Sequence, residues 1–164
     1  MVIGGQAVLL YGEPRFTKDI DITLGIGIEK LDDVIEIVNN LKLKTLTDNP
    51  KDFVKEVMVL PVIDEASGIR IDLIFSFSPY EQEAIKRANK INMSGTPVNF
   101  ASVEDLIIHK VIAGRERDKE DIKNIILKNS NLDKQYILKW LKEFDASLDE
   151  SFTGRFADII KEHR

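Results

Sequence analysis

The feature that most constrains the fold is a single change of hydrophobic period near residue 101. Before it, apolar residues recur every second position in several short runs. From Arg15 to Leu24, Arg15, Thr17, Asp19, Asp21 and Thr23 share one face, and Phe16, Ile20, Ile22 and Leu24 share the other, with Lys18 the one exception. That is the two-residue period of a strand. "VMVLPVIDEASGIRIDLIFSF" reads as two strands joined by a turn at Asp64 to Gly68, and "KINMSGTPVNF" as a short strand pair. Val2-Ile3 reads as a strand end, Gly4-Gly5 as a turn, and Gln6 to Tyr11 as a short helix stopped near Gly12 and Pro14. Amphipathic spacing of Leu31, Val34, Ile35, Val38 and Leu41 predicts a helix over 29–41, and another is expected over 80–88. Ser102, followed three residues later by Asp105, opens an all-helical remainder with a capping signature. Helices are expected over 117–129, 133–144 and 149–162. Strands first and helices afterwards make an α+β arrangement. Residues 1–101 would form an α/β core and residues 102–164 a helical portion packed on it, as one compact domain or two subdomains.

Composition narrows the chemistry. At 164 residues the chain suits one domain. It has no cysteine and only two histidines, so thiolate zinc sites and cysteine nucleophiles are excluded and any metal is held by oxygen. A net charge of -5 argues against a broad nucleic-acid footprint, which relies on many lysines and arginines. No apolar run approaches a membrane span and no leader-like segment precedes the body, so the expected location is cytoplasmic, without membrane attachment.

Within the strand-rich half three carboxylates are placed for chemistry. On an extended strand the Cα atoms of Asp19 and Asp21 lie about 6.6 Å apart on one face. In "GIRIDLIF", Ile69, Ile71, Leu73 and Phe75 form one face while Asp72 shares the other with Arg70. Three carboxylates on neighbouring strands suit Mg²⁺, a hard ion that takes oxygen ligands and shares its shell with substrate phosphates. Gly4 and Gly5 let backbone approach a triphosphate closely, with the amides opening the next helix aimed at its oxygens. Each part has a plainer reading: a turn for Gly-Gly, a solvated strand face for Asp-x-Asp, and an Arg70–Asp72 ion pair on an exposed hairpin.

"GGQAVLLYGEPRFTKDIDI" resembles the signature of the polymerase-beta-type nucleotidyltransferase fold, and in its Gly-Gly-x-Ala and Arg-x-Thr-x-Asp-x-Asp form it resembles the AbiEii-type toxins and related minimal domains. The resemblance covers roughly residues 2 to 121 and implies a small mixed β-sheet flanked by helices. It implies Asp19 and Asp21 as ligands of Mg²⁺ or Mn²⁺, Asp72 as third carboxylate and general base, and Gly4 and Gly5 at the phosphates of an NTP such as ATP. Members of this superfold carry a helix and most of a strand before the glycines. Here three residues precede them, which leads to the expectation of a start codon assigned too late.

In the helix from Ser102, Lys110 falls near the centre of an apolar arc of Val103, Leu106, Ile107, Val111 and Ala113. It either snorkels or carries its ammonium into a cleft to neutralise phosphate. "EDLIIHKVIAGRERDKEDI" resembles the stretch that follows the catalytic strands in AbiEii-like proteins, so Lys110, Arg115 and Arg117, with Arg15 from the aspartate face, are candidate phosphate contacts. Asp118 and Asp121 would orient them or cap the next helix. His109 and His163 are expected to be solvated, Trp140 to be core, and "EFDASLDE" to be a solvated segment between helices.

The function expected is metal-dependent transfer of a nucleoside monophosphate from an NTP to a hydroxyl on RNA, a protein side chain or a small molecule, with a toxin–antitoxin or phage-defence role implied by resemblance alone. The alternative is a catalytically weak or inactive binding module acting as a regulatory or antitoxin partner.

Overall fold

A computed structural model describes residues 1–161; His163 lies outside them. The chain forms two compact units. The first contains Met1–Gln6 and Phe16–Phe100, and the second contains Ala7–Arg15 and the chain from Ala101 onward. The second unit thus takes up a segment that the sequence reading assigned to the core.

The first unit is built on a seven-stranded mixed sheet of order β3-β4-β5-β2-β1-β7-β6. Its strands are β1 (Val2–Ile3), β2 (Asp19–Thr23), β3 (Lys44–Thr45), β4 (Val59–Asp64), β5 (Ile69–Ile74), β6 (Asn89–Met93) and β7 (Thr96–Phe100). β2 runs parallel to β5 and antiparallel to β1. Helices α2 (Leu31–Asn40) and α3 (Pro50–Val57) contribute Leu31, Val34, Val38 and Val54 to a core completed by Leu60, Val62 and Phe75. Ile71 and Leu73 pack against this core. The β4–β5 turn closes as expected: the Asp64 carboxylate accepts from the Ser67 hydroxyl at 2.6 Å and the Ala66 amide at 3.2 Å, and Gly68 has φ +72°. Helix α4 (Pro79–Lys86) starts on Ser78, whose hydroxyl accepts from the Glu81 amide.

Several elements depart from expectation. Gly4 and Gly5 are the first residues of helix α1 (Gly4–Tyr11) rather than a turn before it. β2 begins at Asp19, two residues beyond Thr17, whose hydroxyl donates forward to the Asp19 carbonyl at 3.3 Å. β3 and α3 were not foreseen, although α3 carries a readable start: the Asn49 side chain caps the Asp52 amide and Pro50 opens the helix.

The second unit holds α5 (Val103–Ala113), α6 (Glu116–Lys128), α7 (Lys134–Leu148) and α8 (Phe152–Lys161). α5 is central: Leu106, Ile107, Ile108 and Val111 are fully buried, as are Ile122 and Ile125 of α6 and Ile137 and Leu141 of α7. The Ser102 cap is as predicted, accepting from the Asp105 amide at 3.1 Å. Asp105 is itself tied to the Tyr136 hydroxyl at 2.8 Å. The acidic run is not an inter-helix segment. It continues α7 to Leu148, and Asp145 reaches forward to cap α8 through the Phe152 amide at 2.5 Å. His109 is half-buried rather than solvated.

Candidate active site

The parallel pairing of β2 with β5 brings the predicted aspartates together. Asp21 is the register partner of Asp72, and Asp19 that of Arg70. Ile20 and Ile22 pair with Ile71 and Leu73, which pack on the helix-covered core. Strand alternation therefore turns Asp19, Asp21, Arg70 and Asp72 to the opposite face as one patch. Adjacent strands are about 4.8 Å apart, so Asp21 and Asp72 are direct neighbours.

Both glycines face this patch. Gly4 has φ +62°, and a Cβ built there would lie 1.9 Å from Oδ2 of Asp21. A Cβ on Gly5 would lie 2.5 Å from the Thr17 hydroxyl. The pair is thus needed first by the side chains of the segment that follows: the Asp21 carboxylate rests on the opening turn of α1, where helix amides carry partial positive charge. Thr17 also holds Asp19, its hydroxyl lying 3.3 Å from Asp19 Oδ1. The sequence reading missed Thr17 as a participant, although its position two residues before Asp19 on the same face was the available signal.

Asp72 is engaged by a neighbour on its own strand. Arg70 Nε donates to Oδ1 at 3.0 Å and Nη2 to Oδ2 at 3.2 Å, the ion pair that was the plainer alternative for this residue. Among the described residues no three Asp, Glu or His side chains are gathered as a ready metal-ligand group. The donor set nonetheless fits a hard cation in kind: every candidate ligand is a carboxylate, and the Cβ-free space at Gly4 admits the Asp21 carboxylate to the helix start. Completing the set requires Asp72 to turn from Arg70 towards Asp21.

The basic candidates lie in the second unit. Lys110 neither snorkels nor presents a free ammonium. It is 4% exposed, and its Nζ donates to Asp118 Oδ1 at 2.9 Å and Asp121 Oδ2 at 2.6 Å. Asp121 also takes the Arg15 guanidinium in a two-pronged contact at 3.0 Å. Asp118 accepts from Arg115 Nε at 2.7 Å and, as the third residue of α6, closes a capping box with Arg115. Burial pushes the Asp118 carboxyl up, but hydrogen bonds from Arg115 and Lys110 and their charges outweigh it and hold it below the usual carboxylate range. The outcome is a chain of alternating charges, Arg15–Asp121–Lys110–Asp118–Arg115, that fastens α5 to α6 and to the segment ending at Arg15. Lys110 is at its centre because two carboxylates one helical turn apart on α6 meet it there. Arg117 is exposed.

A mixed sheet that carries an aspartate patch on paired parallel strands, beside a glycine-opened helix, defines a nucleotidyltransferase-fold protein of the α+β class. Solved structures share the fold. The antibiotic-resistance factor ANT(2'')-Ia aligns with 99% of this chain and 85% of its own at 17% identity and a TM-score of 0.54. An antigenic nucleotidyltransferase-like protein from Paracoccidioides brasiliensis aligns with 93% of this chain and 83% of its own, at 17% identity and a TM-score of 0.52. Over residues 1–153 the sequence matches the family described as "Nucleotidyltransferase of unknown function (DUF6036)", and the chain belongs to it. A search of curated proteins finds no significant match. No described helix is long and apolar enough to cross a membrane.

Proposed function

We propose that the protein transfers a nucleoside monophosphate from an NTP to an acceptor hydroxyl, releasing pyrophosphate. The observation that carries the reading is the strand register that sets Asp72 directly beside Asp21, with Asp19 on the same face. Asp19, Asp21 and Asp72 would hold divalent cation, Mg²⁺ or Mn²⁺. When bound, the cation offsets phosphate charge and favours ionisation of the attacking hydroxyl. Asp72 receives the acceptor proton, Thr17 holds Asp19 in place, and the amides at Gly4 and Gly5 lie towards the phosphates. Arg117 and the outer edge of Arg115 are proposed as nucleotide contacts. Lys110 has its charge met by two aspartates, so its part is to fix the α5–α6 pair.

The acceptor is proposed to be a small molecule or a protein side chain in preference to RNA, on the acidity of the chain. A toxin–antitoxin or phage-defence setting rests on the AbiEii-type resemblance. The experiment is incubation with four labelled NTPs, Mg²⁺ and cell extract, followed by identification of the labelled product. Labelling that depends on Asp19 and Asp21 supports transfer. Absence of labelling together with absence of NTP binding defeats it.

The second reading, a binding module with little or no turnover, is favoured by the Arg70 contact on Asp72. It requires nucleotide or partner binding that persists without labelling of any acceptor.

A further inference from the structure

The geometry points to Arg70 as a latch on Asp72: in the cation-free protein its guanidinium occupies both carboxylate oxygens, and cation binding and release of Arg70 are one coupled event. This rests on the nucleotidyltransferase reading, because it concerns how the third carboxylate becomes a ligand. Arg70 Nε donates to Asp72 Oδ1 at 3.0 Å, and Nη2 reaches both oxygens, Oδ1 at 2.9 Å and Oδ2 at 3.2 Å. A carboxylate gripped by a guanidinium fork has the lone pairs a cation needs directed at N–H groups instead. Arg70 and Asp72 are two residues apart on one strand and share its face, so the contact forms without any other element moving. The fork is also releasable, since the Arg70 side chain is 52% exposed while Asp72 is 17% exposed. Asp19, the register partner of Arg70, accepts from Thr17 instead. The Arg70 guanidinium is thus spent on the carboxylate assigned to take the proton.

The latch makes Arg70 a positioning residue with two observable consequences. Removing it frees Asp72, so Arg70→Gln binds Mn²⁺ roughly two- to fivefold more tightly than the wild type, the range expected from a partly exposed ion pair. Loss of a positive charge alone would also tighten binding, so a second readout is needed. In side-chain ¹⁵N spectra of the full chain, the Arg70 guanidinium shows slow rotation without cation. It shows free rotation both when Mg²⁺ saturates the protein and in cation-free Asp72→Asn.

Binding of Mg²⁺ with the Arg70 signal still in slow rotation overturns the latch and leaves the proposed function standing. Unchanged Mn²⁺ affinity in Arg70→Gln overturns it as well. Failure of wild type and Arg70→Gln alike to bind either cation overturns the proposed function and the latch together. Tighter binding in Arg70→Gln with coincident Arg70 signals in Mg²⁺-saturated wild type and Asp72→Asn establishes it.

Discussion

Replacing Gly4 by alanine separates two demands that the fold places on one residue. The first is conformational: at φ +62° a side chain costs about 1–2 kcal/mol relative to glycine. The second is steric. The new Cβ would sit 1.9 Å from Asp21 Oδ2, against an ordinary contact of about 3.5 Å, so the carboxylate must retreat by roughly 1.5 Å. β2 is held between β1 and β5, so the retreat falls on the Asp21 side-chain torsion and moves the carboxylate off the patch. Gly68 provides the control: it has φ +72° and nothing within 4 Å of its would-be Cβ. Gly68→Ala therefore pays the conformational cost alone. Gly68→Ala is expected to lose about 1–2 kcal/mol, a fall in Tm of roughly 2–8 °C for a chain of this size, and Gly4→Ala at least as much, measured by thermal unfolding. Only Gly4→Ala loses Mn²⁺ affinity, by about tenfold or more, as a displaced ligand should. Equal Mn²⁺ affinity in Gly4→Ala and Gly68→Ala would refute the account of why glycine stands at position 4.

Lys110→Met leaves the Asp118 and Asp121 carboxylates buried without their shared cation; with Arg115 and Arg15 still attached, the cost in urea unfolding is about 3 kcal/mol. Asp118 is held below the usual carboxylate range, so its stabilisation is complete above the unfolded-state value near pH 3.9 and disappears as pH falls through the lowered folded value. Wild-type stability should consequently drop more steeply than that of Asp118→Asn below about pH 4, and parallel urea midpoints for the two across that window would contradict this. Asp21→Asn removes one of two like charges placed side by side and also the charge resting on the start of α1; the two oppose each other, so stability should change by no more than about 1 kcal/mol while nucleotide transfer is abolished. Thr17→Val keeps the shape and removes the hydroxyl that holds Asp19. It should lower turnover several-fold with a much smaller effect on Tm, measured on the same preparation.

The fold was legible wherever period and punctuation agreed. β4, β5 and the turn between them follow from alternation plus Asp64 and Gly68, and α5 follows from its serine cap. β3 is only two residues long, too short for any period to register, and exists because β4 offers it an edge. The extent of α7 is not legible from charge, because an acidic residue marks solvent in one place and a cap in another, and Asp145 caps the next helix. The aspartate patch was legible as far as alternation reaches, since a strand's faces are a local property. Pairing is non-local, so which strand lies beside β2, and in which register, is written in no single segment. The same limit hid the partners of Lys110: its apolar surroundings were readable, but that Asp118 and Asp121 of the next helix face it depends on how α6 packs.

The two charged clusters differ in a way that bears on what each can do. In the second unit the buried Lys110 lies between two aspartates, each of which takes an arginine on its other side. Ions withdrawn from water are tolerable only under such mutual satisfaction, and the buried members of the cluster, Lys110, Asp118 and Asp121, have little left to offer a ligand. The patch on β2 and β5 is the reverse. Three carboxylates stand on adjacent positions of one face, and a glycine is kept at position 4 so that one of them can sit on a helix start. Like charges side by side weaken a sheet. A divalent cation would turn the repulsion among Asp19, Asp21 and Asp72 into shared attraction. The stability of the first unit should therefore rise with Mg²⁺ while that of the second does not, a difference that hydrogen exchange resolves strand by strand and helix by helix.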